Sequence, residues 1–229
     1  MTPALCQSYR HGGRHEFCLC FGIGFARQIL IVPPLFDEMN RVRRMLVQTM
    51  RDLEARGIGS LLIDLPGCNE SLAPLEAQNI DVWRDAVAHC AETLGATHIA
   101  ALRGGALIDD RPALPHWRLA PVKGASILKT MVRTRIAGDK EAGVATSEAE
   151  LMAQAESRPI ELAGNRLGPH MIAQLKCAEP AAAYALLDRK LGEDVAGSPL
   201  WLRAEPGEDA AMSAAIAADL HRWSASCGG

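Results

Sequence analysis

The sequence predicts an α/β protein built on a doubly wound, mostly parallel β-sheet that carries a helical insertion. Three continuous apolar segments, at residues 28–32, 58–65 and 97–102, are typical of strands buried on both faces of a parallel sheet. Segments with helical apolar spacing follow the first two of them, at residues 39–56 and at about 80–94. Strand, helix, strand, helix, strand is the order that predicts a doubly wound sheet.

Shorter segments extend this sheet at both ends of the sequence. Residues 16–22 alternate roughly between apolar and polar side chains and predict a strand before the first buried one. Residues 117–122 and 200–204 predict two later strands, and a helix over residues 209–223 follows the second of these.

The segment between those two later strands breaks the alternation and is predicted to be mainly helical. Residues 125–140 have helical patterning, and Ser147 with Glu150 forms a capping box for another helix. Residues 159–167 predict two short strands around a Gly-Asn turn, and Pro169 suits the first position of a further helix.

The chain length of 229 residues accommodates one core with an insertion, at about 150 residues per domain. We expect a sheet domain of residues 1–122 and 190–229, with a helical cap of residues 123–189. Hydrophobic residues make up 48% and charged residues 22%, which excludes a disordered chain. A net charge of −3 and 4% aromatic residues argue against a nucleic-acid partner.

The seven cysteines are odd in number and scattered, without a C-x-x-C pair, which indicates reduced thiols and a cytoplasmic location. Cys18 and Cys20 lie two residues apart but lack a second pair of ligands, so we expect no metal, and no motif indicates a cofactor. No apolar stretch reaches the length of a membrane span or of a signal peptide near the start.

Ligands of a doubly wound sheet bind at the carboxyl ends of its strands, and two of these ends carry informative motifs. The segment IDLPGCNES (63–71) resembles the D-x-P/R-G-x-G-x-S loop of many α/β-hydrolases, although Asn69 stands where glycine is usual. The segment ALRGG (101–105) stands where those proteins have the nucleophile elbow G-x-S-x-G. Arg103 takes the place of the nucleophile, so the elbow is degenerate.

A third strand end narrows this resemblance to one family. The segment VPPLFDEMNRVRRM (32–45) resembles the P-F-x-E-E-M-N-x-x-R-R-M block of the exosortase-associated α/β-hydrolases, and residues 119–139 and 161–175 resemble the insertion of those proteins. The subgroup known as hydrolase 2 is the more similar one, because it also places Arg in the elbow. The resemblance covers about residues 16–204. It implies an α/β-hydrolase fold with a cap, a hydrolase of the esterase or acyl-hydrolase kind, and a protein partner in an exosortase and exopolysaccharide system.

The residues for a working Ser-His-Asp triad are hard to find in this sequence. Arg103 stays protonated and cannot act as the nucleophile. The weak candidates are Ser71 or Cys68 as a displaced nucleophile, Asp209 as the acid and His221 as the base. Each has a simpler structural role: Ser71 as a local cap, Cys68 as a small half-buried residue that fills space, Asp209 as a solvated loop acid and His221 as a surface residue of a helix.

Arg103 at the start of a helix suggests an anion-binding pocket instead of a catalytic one. The alternative is that Arg103 pairs with Asp37, Glu38 or Asp64 and only holds the site together. For Asn40, capping the next helix is the alternative to a place in the pocket, and Arg43 and Arg44 are predicted to be solvated charges. The residues expected to bind an anionic acyl or sugar ligand are Pro34, Leu35, Phe36, Glu38, Asn40, Arg103, Gly104 and Gly105.

Three functions therefore stay open on the sequence. The first is a protein of the exosortase-associated group that binds such a ligand without a working triad. The second is an active esterase or acyl hydrolase with an unusual nucleophile. The third is a non-catalytic scaffold or interaction protein.

Overall fold

The computed structural model describes residues 5–203 and 205–227, so residues 1–4, 204 and 228–229 of the predicted sheet domain lie outside it. The described residues form one seven-stranded sheet and a separate two-stranded hairpin. The strands are β1 (Leu5–His11), β2 (Arg14–Phe21), β3 (Gln28–Val32), β4 (Gly59–Ile63), β5 (His98–Leu102), β6 (His116–Leu119), β7 (Ile160–Leu162), β8 (Asn165–Leu167) and β9 (Leu186–Arg189).

The large sheet has the strand order β1-β2-β4-β3-β5-β6-β9. From β4 to β9 all neighbours are parallel, whereas β1 and β2 pair antiparallel and β2 pairs antiparallel with β4. Every residue of β3, β4 and β5 is buried, as a central parallel strand covered on both faces requires. The predicted doubly wound, mostly parallel sheet is confirmed.

Helices cover both faces of this sheet and divide the core into two apolar clusters. On one face α1 (Asp37–Glu54) packs against α6 (Ala210–Ser226). The other face carries α2 (Ile80–Thr93), α3 (Gly124–Glu141), α4 (Glu148–Ala155) and α5 (Pro169–Cys177). No described helix combines the length and the apolar character needed to cross a membrane.

Local signals in the sequence set several of these helix starts. Asn79 caps α2 by accepting a hydrogen bond from the Val82 amide, and the capping box of Ser147 and Glu150 is formed at α4. Pro169 occupies the first turn of α5, where its missing N–H costs nothing. The predicted capping box and the predicted place of Pro169 are confirmed.

Two parts of the sheet differ from the prediction. Residues 5–11 form β1, which the sequence did not reveal because Tyr9 is the one buried residue of this edge strand. The predicted strand at residues 200–204 is wrong: Leu200–Leu202 form a 3₁₀ turn, and Ala204 lies outside the described residues. The last strand is β9, which pairs with β6 and falls within the segment predicted as cap. β9 has no fully buried residue, so its sequence lacks the apolar run that would have predicted a strand.

The inserted segment lies over the carboxyl ends of the strands. Helix α3 begins five residues after β6 and packs against α5, and the hairpin β7–β8 packs beside α3. Arg135 of α3 donates from Nη1 to the Glu161 carbonyl of β7 at 2.8 Å. Ile127 of α3 faces the turn that follows β5, as shown by its closeness to Gly104. The division into sheet domain and cap stays a prediction.

Candidate functional site

The candidate site is built around a strained turn directly after β5. Arg103 has a φ of 54°, in the left-handed region where a β-carbon costs about 1–2 kcal/mol. Gly104 and Gly105 follow and are buried. A β-carbon on Gly105 would lie 2.6 Å from the Val32 carbonyl oxygen, and one on Gly104 would lie 2.6 Å from Cδ1 of Ile127. Glycine is therefore required at Gly105, where the turn meets the backbone after β3.

The Arg103 side chain is held by a bidentate ion pair. Its Nε and Nη2 donate to the two carboxylate oxygens of Glu38, each at 3.1 Å. Its Nη1 makes only a long contact of 3.5 Å with the Ala120 carbonyl. The guanidinium carbon lies 4.8 Å from the ring centroid of Trp201, a cation–π distance. Of the three acids considered for Arg103, the structure selects Glu38.

The other two acids have their own partners. Asp64 is buried and accepts from Arg43 Nη1 at 2.9 Å and from Asn69 Nδ2 at 2.6 Å. Asp37 forms an ion pair with Arg41 one helical turn later. The prediction that Arg43 is a solvated charge is therefore wrong, because Arg43 ties α1 to the loop after β4.

The side chain of Trp201 completes the frame of the site. It is 5% exposed, and its carbonyl accepts from Arg41 Nη1 at 2.9 Å while its ring stacks on Arg103. The sequence did not identify Trp201 as part of the site, because its segment was predicted to be a strand. No local signal could have corrected this, since Arg41 and Arg103 are 160 and 98 residues away in the sequence.

A cavity of about 200 Å³ opens beside this ion pair. Glu38 and Arg103 supply its charged wall together with Asp37 and Arg41. Its apolar wall consists of Leu35, Phe36, Ile127, Met131, Trp201 and Leu202. Small side chains of the inserted segment, those of Thr130, Thr134 and Ala163, close the remaining side. An ion pair in a mainly apolar cavity suits a small ligand with one charged end.

The predicted ligand-binding residues occupy different parts of this arrangement. Leu35, Phe36, Glu38 and Arg103 line the cavity, while Pro34 is buried in the loop just before it. Asn40 is exposed on α1 and does not cap it, since Phe36 is the residue before the first turn. The alternative that Asn40 is the helix cap is therefore wrong. The ligand-binding roles of all these residues, with Gly104 and Gly105, stay predictions.

Neither Ser71 nor Cys68 is arranged as an activated nucleophile. The Ser71 hydroxyl oxygen accepts from the amides of Gly67 at 2.8 Å and Ala73 at 3.2 Å. Ser71 therefore caps backbone amides of its own loop, as its simpler structural role predicted. Burial raises the pKa of the Cys68 thiol to about 12, and the charge of Asp64 adds to this effect. Among the described residues, no histidine is hydrogen-bonded to either side chain.

The candidate acid Asp209 directly precedes α6, whereas the candidate base His221 lies within this helix, and the structure shows no contact between them. Asp209 caps this helix by accepting from the Met212 amide at 2.9 Å. The His221 carbonyl accepts from Arg27 Nη1, and Arg27 lies just before β3, at the amino end of the strands. Arg103 follows the carboxyl end of β5, which is parallel to β3. The His221 backbone is therefore near the amino ends of the parallel strands, whereas Arg103 is at their carboxyl ends.

Cys68 is expected to resist alkylation in the folded protein. Its raised pKa leaves almost no thiolate at pH 7.5, and thiolate is the reactive form. Cys6 and Cys177 are exposed and serve as internal controls. Iodoacetamide should label these two first and label Cys68 only after unfolding, as measured by peptide mass spectrometry. Labelling of native Cys68 at the rate of Cys177 would contradict its assignment as an inert, partly buried thiol.

Metal ligation finds no support in residues 5–203 and 205–227. They contain no group of three or more His, Cys, Asp or Glu side chains placed to hold a metal ion. All seven cysteines are free.

Comparison with known proteins shows the class of fold. Searches with family models and among curated proteins gave no match to the sequence. Among solved structures, Est1E from Butyrivibrio proteoclasticus with bound ferulic acid aligns with a TM-score of 0.56 and 12% identity, over 81% of this chain and 77% of that one. A proline iminopeptidase-related protein from Thermus thermophilus aligns with a TM-score of 0.48 and 16% identity, over 68% of this chain and 57% of that one. An α/β serine hydrolase without lid from Xanthomonas campestris aligns with a TM-score of 0.43 and 16% identity, over 53% of this chain and 62% of that one.

The likeness to Est1E and the seven-stranded, mostly parallel sheet together define this chain as a protein with an α/β-hydrolase fold. The predicted fold class is confirmed. At this low identity, the likeness concerns the fold alone.

Proposed function

We propose that this α/β-hydrolase-fold protein binds a small anionic acyl ligand at Arg103 and does not hydrolyse it. The observation that carries the proposal is the position of Arg103, whose side chain lines the cavity from the strained turn after β5. A serine hydrolase places its nucleophile at such a turn. Here the turn presents a permanent positive charge instead.

The pairing of Arg103 with Glu38 leaves part of its hydrogen-bonding capacity for a ligand. A guanidinium carries five N–H groups in a planar fork. Glu38 takes the edge formed by Nε and Nη2, and the Ala120 contact of Nη1 is long. The edge formed by Nη1 and Nη2 is therefore the one proposed to receive a carboxylate or phosphate. Glu38 and Trp201 fix the fork, which lowers the entropy lost on binding.

The rest of the cavity supports an acyl group as the uncharged part of the ligand. Its wall of Leu35, Ile127 and Met131 is apolar and suits alkyl carbons. Its volume of about 200 Å³ is below the range of about 300–1,000 Å³ that holds drug-sized ligands. We therefore expect a short chain within the cavity.

The two other functions are less well supported by the site. An esterase needs a nucleophile, base and acid within hydrogen-bond reach, and Ser71, Cys68, Asp209 and His221 serve other contacts. A scaffold without a ligand leaves the cavity beside Arg103 unexplained.

The resemblance to the exosortase-associated α/β-hydrolases supports a cellular setting for this proposal. The segment that carries it, residues 32–45, also supplies Leu35, Phe36 and Glu38 of the site. We propose that the protein acts in the cytoplasm of a bacterium with an exosortase and exopolysaccharide system, where it also has a protein partner.

Calorimetric titration with small acyl anions tests the binding proposal. Butanoate and butyl phosphate should bind, whereas butanamide, which has no charge, should bind at least about tenfold more weakly. Arg103→Lys keeps the charge and loses the fork, so butanoate affinity should fall by about tenfold. The neutral pair Arg103→Met with Glu38→Gln should abolish the preference for anions. Arg44→Ala is the control, because Arg44 lies on α1 with Glu38 but is an exposed arginine that pairs with exposed Glu208.

Two outcomes would overturn the proposal. The first is binding of butanamide as tight as that of butanoate, or full butanoate affinity in the Arg103 variants. The second is hydrolysis of p-nitrophenyl butanoate by the wild type that is lost in Ser71→Ala or Cys68→Ala. The second result would identify an esterase with an unusual nucleophile.

A further inference from the structure

A second, more open groove lies next to the cavity beside Arg103, at the outer side of the inserted segment. This outer groove measures about 400 Å³ and lies between α3 and the turn of the β7–β8 hairpin. The inner cavity and the outer groove share two lining residues, Thr134 and Ala163. Thr134 and Ala163 therefore lie where the inner cavity and the outer groove adjoin.

Ala163 itself has a backbone conformation that alanine does not favour. Ala163 and Gly164 form the two-residue turn of the hairpin, with φ values of 48° and 73°. Positive φ at both positions is the pattern of a type I′ turn, for which Asn-Gly is strongly preferred. Asparagine would thus be the better residue for the turn, yet the chain has the smaller side chain at the point where the cavities meet.

The inner cavity and the outer groove differ in the polarity of the side chains that line them. The inner side is apolar apart from the charged residues near Arg103. The outer groove is lined by Arg135, Asp139 and Glu161. Arg135 donates from Nε to both carboxylate oxygens of Asp139, at 2.8 and 2.9 Å. Two carboxylates beside one guanidinium favour a neutral, hydrogen-bonding group over a second anion.

We propose that a passage between Thr134 and Ala163 joins the two cavities, and that the ligand is an elongated acyl anion whose far end carries hydroxyl groups. Its charged end lies at Arg103, its alkyl chain passes Ala163, and its hydroxyl end lies in the outer groove beside Glu161 and Asp139. This inference rests on the proposed binding function and adds the shape and chemical class of the ligand. Ala163 is then the residue that sets the accepted chain length.

Titration with two series of acids tests the inference. The first series runs from butanoate to dodecanoate, and the second carries a terminal hydroxyl on each acid. Affinity should rise about fourfold for each methylene buried along the passage and then level off, with the hydroxy acids tighter at the longer lengths. Ala163→Asn should weaken the long hydroxy acids at least about tenfold more than it weakens butanoate.

The variants at Ala163 separate this role from a purely structural one. Asparagine and glycine both accept a left-handed backbone, so each should raise the melting temperature by about 2–4 °C. Ala163→Gly widens the passage, so the ratio of long-acid affinity to butanoate affinity should not fall. A more stable Ala163→Asn protein with selectively weaker binding of long acids therefore supports a passage and is not explained by damage to the fold.

The remaining outcomes decide against the inference in distinguishable ways. If butanoate binds through Arg103 but longer acids gain nothing, or Ala163→Asn binds them as the wild type does, the passage is wrong and the binding function stands. If no acid binds at any length, the proposed function and the inference are both wrong.

Discussion

Replacing Asp109 by alanine is expected to lower the free energy of unfolding by about 3–5 kcal/mol. Asp109 is fully buried and accepts from Arg118 Nη2 at 2.6 Å and from Arg118 Nε at 2.8 Å. The Arg118 side chain is itself only 2% exposed. Its remaining contact is Nη1 to the Ala181 carbonyl at 2.7 Å, so the variant leaves a buried positive charge without a counter-ion. Urea denaturation at pH 7 measures the loss.

Three further variants show whether the uncompensated charge is the cause. Asp110→Ala removes the neighbouring carboxylate, which pairs with Arg84 at a partly exposed position, and should cost at most about 1 kcal/mol. Replacing both partners, as Asp109→Leu with Arg118→Met, should recover most of the loss because no charge is left buried. Asp109→Ala within about 1 kcal/mol of the wild type would contradict the assignment of a buried, mutually dependent pair.

This pair also bears on the candidate site. Asp109 lies four residues after Gly105, in the segment that leaves the turn carrying Arg103, and Arg118 lies on β6. The ion pair therefore anchors the segment leaving the turn to the next strand of the sheet. A weakened pair should lower butanoate affinity through poorer placement of Arg103, in addition to its effect on stability.

The central sheet could be predicted because its signals are local. The apolar runs of β3, β4 and β5 reflect burial on both faces, and each run is visible in five consecutive residues. The cap of α4 and the proline of α5 are equally local. In contrast, β1 and β9 are edge strands with one covered side at most, so their sequences carry no comparable pattern.

The candidate site could be located but not assembled from the sequence. The rule that ligands bind at the carboxyl ends of parallel strands led to Arg103 and to the loop after β3. The partner of Arg103 was left open among three acids, because Glu38 lies 65 residues earlier in the sequence. The place of Trp201 depends on its contacts with Arg41 and Arg103, which are far away in the sequence, so tertiary packing decides it.

Asp219 presents the second large effect expected for this fold. It is 4% exposed on α6 and accepts from Trp117 Nε1 of β6 at 2.8 Å and from Arg189 Nε of β9 at 2.9 Å. Arg222 Nη2 donates to its other oxygen at 2.9 Å. Asp219→Ala removes the acceptor that joins α6 to β6 and β9, and it leaves the buried Trp117 N–H without this partner. We expect a loss of about 3 kcal/mol at pH 7.

The same contacts predict how this loss depends on pH. Burial alone would raise the pKa of Asp219, but the hydrogen bonds from Trp117 and the charge of Arg189 outweigh it and lower the pKa below its usual 3.8. A carboxyl with a lowered pKa in the folded state contributes stability above its unfolded pKa, and this contribution is lost as the pH falls through the folded value. The stability difference between the wild type and Asp219→Asn should therefore be full at pH 6–7 and shrink below about pH 4.

Denaturation curves of the wild type, Asp219→Asn and Arg222→Ala between pH 3 and pH 7 measure this dependence. Arg222 is the control because its side chain is 67% exposed, so its loss should cost less than about 1 kcal/mol at any pH. A difference between wild type and Asp219→Asn that stays constant across this range would mean that the carboxylate does not titrate differently on folding. The contribution of Asp219 would then come from its shape and packing alone, and the charged contact with Arg189 would add no stability to the edge formed by β9.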